Sequence, residues 1–379
     1  MSEYGEINLF FSNFSAGSDT ANTNMNMNMN MDMDGVVRPI SIGSSQQAFA
    51  LLPPVFPTAH APSLAQLPES GGLLLAFFAG DAEGGDGVAI VGSRLEKNAE
   101  GLERWTTPAV ISKENHRSNQ NPVLFVTGER HVTLLHSSQE AFKGQGTAEV
   151  RIVRSADGGV SWNMPTTLFQ KAGAFTKNHV LRSVDGELLL PMYYTPDGFF
   201  KNETHYSSIQ RSKDDGVTWT ETVMPGTLGK CVQPSVVRLK GGHGRLLAFY
   251  RSRSADFIYK ASSEDDGKTW TEPTPTQLPN NNSGIQAAVL RGSGAIVVAF
   301  NNHKGSDRRT PLTLAMSCDD GASWPHVRNL DTTSAELSYP TLLEDVLDGG
   351  VLHVAWTFGR RTIRYARLAG VEAWLTAPS

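Results

Sequence analysis

The sequence predicts an all-β fold, a six-bladed β-propeller whose blades are four-stranded antiparallel sheets. Two repeats in register support this prediction: a polar turn that closes at Trp162, Trp219, Trp270 and Trp324, and six hairpins of apolar strands. The turn returns about every 55 residues, which is too long for most helical repeats and suits one propeller blade. The 36 glycines and 20 prolines supply many turns, which favour short strands over long helices.

Residues 1–35 are predicted to form a disordered leader, and residues 36–375 to form the propeller. Residues 21–34 alternate methionine with asparagine or aspartate, a low-complexity pattern typical of a disordered terminus. The first 20 residues contain neither a basic segment nor an uninterrupted apolar one. No secretory signal peptide is therefore evident, and a cytoplasmic location is predicted.

Six segments share a pattern in which polar residues lead into an apolar strand, followed by a turn and a returning apolar strand. They begin at His60, Asn121, Asn178, Gln233, Asn282 and Tyr339. Helical periodicity is hard to find in this region. Six such hairpins predict six blades.

The recurring turn has the pattern Ser-x-Asp-x-Gly-x-Ser/Thr-Trp. It occupies residues 155–162, 212–219, 263–270 and 317–324, and Trp105 marks a fifth position at which the aspartate and glycine are missing. The alternatives for its aspartate are a catalytic group, a calcium ligand, or a structural residue that accepts backbone N–H bonds while the tryptophan packs between strands. Because the turn occurs once per blade, whereas a catalytic site needs its groups in one place, we interpret it as structural.

Composition argues against several classes of function. A net charge of −5 gives no reason to expect nucleic acid or an acidic membrane surface as a partner. Cys231 and Cys318 are too few for a disulfide framework and lack metal-site spacing, so no metal or cofactor is predicted. No apolar run approaches the roughly 20 residues that span a bilayer.

The predicted topology brings polar residues together on one face of the ring. The first strand of each blade lines the axis and the second runs back, so the start of the one and the end of the other meet there. The predicted funnel contains His60, Asp81, Glu83, Asn121, His136, His179, Tyr194, Gln233, Arg251, Asn282, Asn301, Arg309 and Tyr339. A ligand is expected to bind in this funnel.

The turns and hairpins together resemble the sialidase (neuraminidase) superfamily, whose six-bladed propellers carry this turn as the Asp-box or BNR repeat. The resemblance covers about residues 45–370 and is closest to predicted neuraminidase-like proteins, judging by HAPSLAQL, AGDAEGGD, NPVLF, QPSVV, PNNNSG and SYPTLL. The family implies a tyrosine nucleophile, a glutamate that activates it, an aspartate acid/base and three arginines that bind a sugar carboxylate. A neutral phenol suits this chemistry because a substrate carboxylate repels an anionic nucleophile.

Carried onto this chain, the resemblance implies that Tyr339 is the nucleophile. It places the second carboxylate-binding arginine at Arg251 and the third at Arg309, with the adjacent Arg308 as an alternative. Guanidinium groups bind carboxylates in two-pronged geometry, which is the reason for arginine at these positions.

Two positions depart from the family pattern. His60 stands where the first arginine is expected, and Gln233 stands where the glutamate is expected. A glutamine cannot accept the phenol proton. A histidine can bind a carboxylate when it is protonated, or act as an acid or base itself.

The acid/base candidates lie in the loop FAGDAEGGDG, where Asp81 and Glu83 alternate with small residues. A solvated acidic turn or a bound cation is the alternative for this loop. His179, Asn121 and Tyr194 are predicted to contact substrate with Gln233.

Three functions remain open from the sequence. The first is a sialidase-like, exo-acting glycosidase on a terminal acidic sugar, sialic acid or a related carboxylated residue. The second is a glycosidase or lyase that uses His60 or His179 as its base. The third is a glycan-binding propeller without turnover. All three predict an acidic carbohydrate as the partner, and the sequence leaves the oligomeric state open.

Overall fold

The protein is described here by a computed structural model that covers residues 32–42 and 45–377. Its strands form six antiparallel sheets, as predicted. The leader predicted over residues 1–35 lies, apart from residues 32–35, outside the described residues. No helix in the described part of the chain is long and apolar enough to cross a membrane.

Each sheet is one blade, and its strands follow one another from the axis outward. Blade one contains β3 (Thr58–Gln66), β4 (Leu73–Gly80), β5 (Ala89–Lys97), and both β6 (Glu103–Trp105) and β7 (Ala109–Ser112) against β5. Blade two contains β8 (Arg117–Val126), β9 (Val132–Glu140), β10 (Glu149–Ser155) and β11 (Thr166–Phe169). Blade three contains β12 (Ala174–Thr176) and β13 (Leu181–Arg182), both against β14 (Leu188–Tyr194), then β15 (Tyr206–Ser212) and β16 (Thr220–Val223).

The other three blades repeat this order. Blade four contains β17 (Cys231–Arg238), β18 (Leu246–Ser252), β19 (Phe257–Ser263) and β20 (Thr274–Pro279). Blade five contains β21 (Gln286–Val289), β22 (Ile296–Asn301), β23 (Leu312–Ser317) and β24 (His326–Asp331). Blade six contains β25 (Leu337–Glu344), β26 (Val351–Phe358), β27 (Thr362–Ala369), β2 (Ser45–Leu51) and β1 (Arg38–Ile42). Two 3₁₀ turns (Gln145–Thr147 and Asn202–Thr204) and the helix α1 (Val371–Thr376) complete the described elements.

The ring is closed by the amino-terminal strands, which sequence reasoning did not anticipate. Strand β2 pairs antiparallel with β27, with Phe49 opposite Ala366, and β1 extends the same sheet. Blade six therefore has five strands where four were predicted. This pairing covers the edge of β27 with a distant part of the chain, and it removes an unpaired edge that promotes aggregation.

The hydrophobic core lies between neighbouring blades. Trp105 of blade one is fully buried and contacts Tyr365 of blade six edge to face, with ring centres 5.0 Å apart. The helix α1 adds buried Trp374 to the cluster between blades five and six. Each large side chain buried in this way stabilises the fold by roughly 1.5–3 kcal/mol relative to an exposed one.

The Asp-containing turns are structural, as their recurrence in the sequence predicts. Asp319 accepts the backbone N–H of Ser323 at 2.9 Å and its hydroxyl at 2.6 Å, and Asp157, Asp214 and Asp265 make the same bonds. These hydrogen bonds lower the pKa of Asp319 to about 2. The tryptophans pack toward the preceding blade, since Trp324 lies 5.8 Å from the ring of Phe249 in blade four.

Candidate active site

Five inner segments enter the funnel with the same backbone conformation. Ala61, Asn121, Gln233, Asn282 and Tyr339 all have φ between 49° and 55°, in the left-handed region. At four of them the next residue is proline, and the strand pairing shifts register there. Such bulges redirect side chains, and for residues other than glycine this conformation costs of order 1–3 kcal/mol. The recurring X-Pro dipeptide is the sequence signal of these positions.

The hydroxyl of Tyr339 accepts two hydrogen bonds at the centre of the funnel. Arg251 donates from Nη1 at 2.6 Å, and Gln233 donates from Nε2 at 3.3 Å. Arg251 is itself held by Oδ1 of Asn282 at 2.8 Å and by Oε1 of Gln233 at 3.3 Å. Two donors on one phenol oxygen favour its anionic form.

Charge around Tyr339 acts in the same direction. Burial alone raises the pKa of this phenol, but the positive charges of Arg251 and Arg309 outweigh burial, and the net pKa lies below its usual value. The guanidinium carbons of Arg251 and Arg309 lie 5.7 and 5.6 Å from the centre of the ring. The charges around Tyr339 therefore favour the ionised form of its phenol more than water does.

His60 packs against Tyr339 but is not a cation. The two rings lie 4.3 Å apart, and Nδ1 of His60 is 2.8 Å from the hydroxyl of Thr357. Burial, reinforced by the charges of Arg360 and Arg309, holds the pKa of His60 well below its ordinary value. The expectation that a protonated His60 binds a carboxylate is therefore not supported, because its burial among cations disfavours a further positive charge.

Two arginines share one carboxylate at the rim. Arg309 and Arg360 both donate to Oε1 of Glu336, at 3.0 and 2.8 Å, and Arg360 also pairs with Glu83. The acidic loop thus reaches over the funnel through Glu83. Arg308 is exposed and turns toward His303, so Arg309, rather than Arg308, faces Tyr339.

Tyr194 is predicted to contact substrate, but the tyrosine whose hydroxyl lies among the site residues is the preceding one, Tyr193. The hydroxyl of Tyr193 accepts hydrogen bonds from Asn121 at 3.3 Å and Gln233 at 3.2 Å. Tyr194 instead stacks on Tyr206, away from these groups. Since successive side chains of a strand point to opposite faces, an error of one residue exchanges the two tyrosines.

Two further predicted residues lie apart from the Tyr339 hydroxyl. His179 contacts the hydroxyl of Thr341 at 3.3 Å, and burial, with the charge of Lys177, lowers its pKa to about 4. Asp81 is exposed and has no ion pair within the described ranges 32–42 and 45–377.

Lys177 is a member of the site that sequence reasoning missed. It is only 3% exposed, its Nζ lies 5.5 Å from the centre of the Tyr339 ring, and burial lowers its pKa to about 7. Its position directly before Asn178, at the start of the third inner segment, was the available signal. Sequence reasoning also missed Glu336, which no motif marks.

The site combines several positively charged side chains with a buried phenol, that of Tyr339. Across the residues that the structure describes, no three His, Cys, Asp or Glu side chains form a group that could hold a metal ion. The side chains around Tyr339 include two arginines, a lysine, the imidazole of His60 and the neutral amide of Gln233. The arrangement can bind a carboxylate and present a phenol oxygen to it.

Comparison with known proteins places the fold among BNR-repeat propellers. The profile of the BNR repeat-like domain matches residues 71–354, which is most of the chain. A search of curated proteins finds no match.

Several solved structures share the fold at low sequence identity. The Hadza microbial sialidase is 17% identical with a TM-score of 0.68, over 83% of this chain and 66% of that one. The NanB sialidase from Streptococcus pneumoniae is 14% identical with a TM-score of 0.68, over 83% and 68% of the two chains. A protein of unknown function from Dyadobacter fermentans is 20% identical with a TM-score of 0.67, over 82% and 94%. The chain thus spans about two thirds of the length of these two sialidases.

Proposed function

Because the chain belongs to the BNR repeat-like domain family, and its fold is that of the sialidases, we propose that it is a sialidase-like glycosidase. Its substrate is a terminal acidic sugar, sialic acid or another carboxylated residue, which is removed in exo fashion. The observation that carries the proposal is the hydroxyl of Tyr339, which accepts hydrogen bonds from Arg251 and Gln233 at the centre of the funnel.

The sugar carboxylate binds between Arg251 and Arg309. Their guanidinium carbons lie 5.7 and 5.6 Å from the centre of the Tyr339 ring. Arg251 is 3% exposed and has only neutral partners, so an incoming carboxylate supplies its missing counter-charge. The anomeric carbon, which bears that carboxylate, is thereby held near the phenol oxygen.

The Tyr339 oxygen attacks the anomeric carbon, and the bond to the leaving oxygen breaks. As the new bond forms, the phenol proton passes to solvent water and Arg251 stabilises the negative charge that develops on the Tyr339 oxygen. A tyrosyl–sugar intermediate results, which water then hydrolyses with release of the free tyrosine. Asp81 is the better candidate for the acid that protonates the leaving oxygen. Glu83 is engaged in an ion pair with Arg360, whereas Asp81 lies two residues away on the same loop and is exposed.

The test is release of an aryl leaving group from an aryl α-sialoside by the wild type and by Tyr339→Phe. Tyr194→Phe is the matched control, because it removes a buried, hydrogen-bonded tyrosine hydroxyl outside the site. The proposal expects wild-type turnover, at least a hundredfold loss in Tyr339→Phe and near wild-type rates in Tyr194→Phe. Removing the nucleophile removes the covalent route, so the loss should be at least as large as the about 10²–10⁴-fold that a general acid or base contributes.

A glycan-binding propeller without turnover is the second candidate. It is favoured by one observation, that no carboxylate contacts the Tyr339 hydroxyl among the described residues. If this candidate holds, the wild type binds sialic acid without hydrolysing any aryl sialoside. Affinity then falls in Arg251→Gln and stays unchanged in Tyr339→Phe.

A further inference from the structure

Glu83 is a carboxylate of the acidic loop that reaches across to another blade. The loop joins β4 and β5 of blade one, and the Glu83 carboxylate pairs with Arg360, which lies in the turn between β26 and β27 of blade six. Within residues 32–42 and 45–377, Arg360 is the only hydrogen-bond or ion-pair partner of the Glu83 side chain. A single contact therefore holds this carboxylate in place.

Arg360 lies beside a guanidinium group that the proposed function assigns to the sugar carboxylate. Its Nε and the Nη1 of Arg309 donate to the same oxygen of Glu336, at 2.8 and 3.0 Å. The backbone carbonyl of Arg360 accepts the N–H of Ala59 at 2.8 Å, one residue before His60. Arg360 is thus placed next to Arg309 and at the start of the inner strand β3.

The two carboxylates on Arg360 differ in how firmly they are held. Glu336 also accepts a hydrogen bond from Arg309 and one from the hydroxyl of Ser338 at 2.7 Å, so three groups fix it. The pair of Glu83 with Arg360 is partly open to solvent, with 40% of the Glu83 side chain and 31% of the Arg360 side chain exposed. Ion pairs exposed to this degree contribute little to stability. A dissolved anion can therefore reach Arg360 and displace Glu83.

The backbone around Glu83 is anchored independently of that ion pair. The N–H of Gly84 donates to the hydroxyl of Ser118 at 3.2 Å, and the Gly84 carbonyl accepts the N–H of Phe142 at 2.8 Å. Both bonds attach the acidic loop to blade two. Rotation of the Glu83 side chain alone thus releases Arg360, while the loop keeps its place.

From these contacts we infer that Glu83 is an internal competitor for the anion-binding site. Its carboxylate occupies Arg360 in the free protein, and the carboxylate of a bound sugar takes its place, held by Arg360 together with Arg309. The inference rests on the proposed function, which places the sugar carboxylate at Arg309. Because Glu83 must leave before the ligand contacts Arg360, the ion pair lowers the affinity of the protein for carboxylated sugars.

The test is a ligand-observed NMR titration of the full chain with N-acetylneuraminate at fixed ionic strength. Glu83→Gln removes the competing charge and keeps the size of the side chain, so it is expected to bind about two- to fivefold more tightly than the wild type, the scale of one exposed ion pair. The methyl ester of N-acetylneuraminate lacks the negative charge, and its affinity should not change. Glu69→Gln is the matched control, since Glu69 is an exposed glutamate in the turn at the other end of β4 and should keep the wild-type affinity.

Arg360→Gln separates this contact from a general effect of losing one negative charge. It removes the partner of Glu83 and also a charge-assisted bond to the ligand, and it is expected to bind N-acetylneuraminate at least about threefold more weakly than the wild type. When Glu83→Gln is added to Arg360→Gln, the gain from the first substitution should disappear. A charge effect that does not depend on Arg360 would leave the gain in place.

Unchanged or weaker binding of N-acetylneuraminate by Glu83→Gln overturns the inference, as do an equal gain for the methyl ester and a gain that persists in the double variant. Absence of binding in every variant also overturns it. The proposed function is tested separately, by hydrolysis of the aryl sialoside. Turnover with unchanged affinity in Glu83→Gln overturns this inference alone, whereas the expected gain without turnover overturns only the proposed enzymatic activity.

Discussion

Replacing Gln233 by glutamate is expected to increase glycosidase activity. Nε2 of Gln233 donates to the hydroxyls of Tyr339 and Tyr193, while Oε1 accepts from Arg251. In Gln233→Glu, a carboxylate oxygen replaces Nε2, and the Tyr339 hydroxyl becomes the donor. The other oxygen keeps its bond to Arg251, which compensates the buried negative charge.

The size of the gain follows from the distance. A positioned general base contributes about 10²–10⁴-fold when it lies about 2.6–3.2 Å from the proton donor. The separation at Gln233 is 3.3 Å, just beyond this range, so the lower end is expected, about a hundredfold in kcat. The gain should disappear at low pH, because only the ionised carboxylate accepts the phenol proton.

The assay is the pH dependence of aryl α-sialoside hydrolysis by the wild type, Gln233→Glu and the double variant with Tyr339→Phe. Gln210→Glu is the control, since Gln210 donates to the hydroxyl of Tyr194 at 3.0 Å and makes the same exchange outside the site. Equal or lower activity in a folded Gln233→Glu variant would refute the reasoning. A gain that persists in the double variant would also do so, because the base would then act on another group.

Three further predictions concern stability. Asp331→Ala should lower the free energy of unfolding by about 3–5 kcal/mol in denaturant titrations, because it removes the carboxylate that lies 2.8 Å from the buried guanidinium of Arg364. The control is Asp185→Ala, which alters an exposed aspartate and should change the free energy of unfolding little. Lys177→Met should be most stable relative to the wild type near pH 7. The pKa of Lys177 is about 7 in the folded protein and higher in the unfolded chain, so the stability of the wild type rises with pH from about 7 to 10. If the difference in unfolding free energy between the variant and the wild type stays constant over this range in denaturant titrations, the assignment is wrong. Deleting residues 1–52 removes β1 and β2 and exposes the edge of β27, so cooperative thermal unfolding should be lost. The control is deletion of residues 1–31, which leaves every described strand in place and should preserve cooperative unfolding.

The parts of the site that the sequence predicted are those tied to a repeating element. His60, Gln233 and Tyr339 lie near the start of inner strands, and Arg251 lies near the end of a second strand. The blade repeat alone therefore brings them to one face. Arg309 joins them from the loop before β23. Their chemical roles remain predictions, since the contacts establish position and charge but not turnover.

Other parts depended on distances that no repeat encodes. Lys177 lies in a segment that leaves the strand pattern after β12, and Glu336 lies in the loop before β25. The choice between Tyr193 and Tyr194 depends on a single step of strand register. The lowered pKa of His60 depends first on its burial and then on four surrounding cations from distant segments.

The sequence by itself determined the class of fold, the number of blades and the role of the Asp-containing turns. These features are local: each turn satisfies its own hydrogen bonds within eight residues, and each hairpin joins neighbouring apolar strands. Only the tertiary structure decided that β2 closes blade six and that Lys177, Arg251 and Arg309 lie around Tyr339. The reason is physical, because burial and electrostatic interaction depend on separation in space, and these residues lie up to about 300 positions apart in the chain.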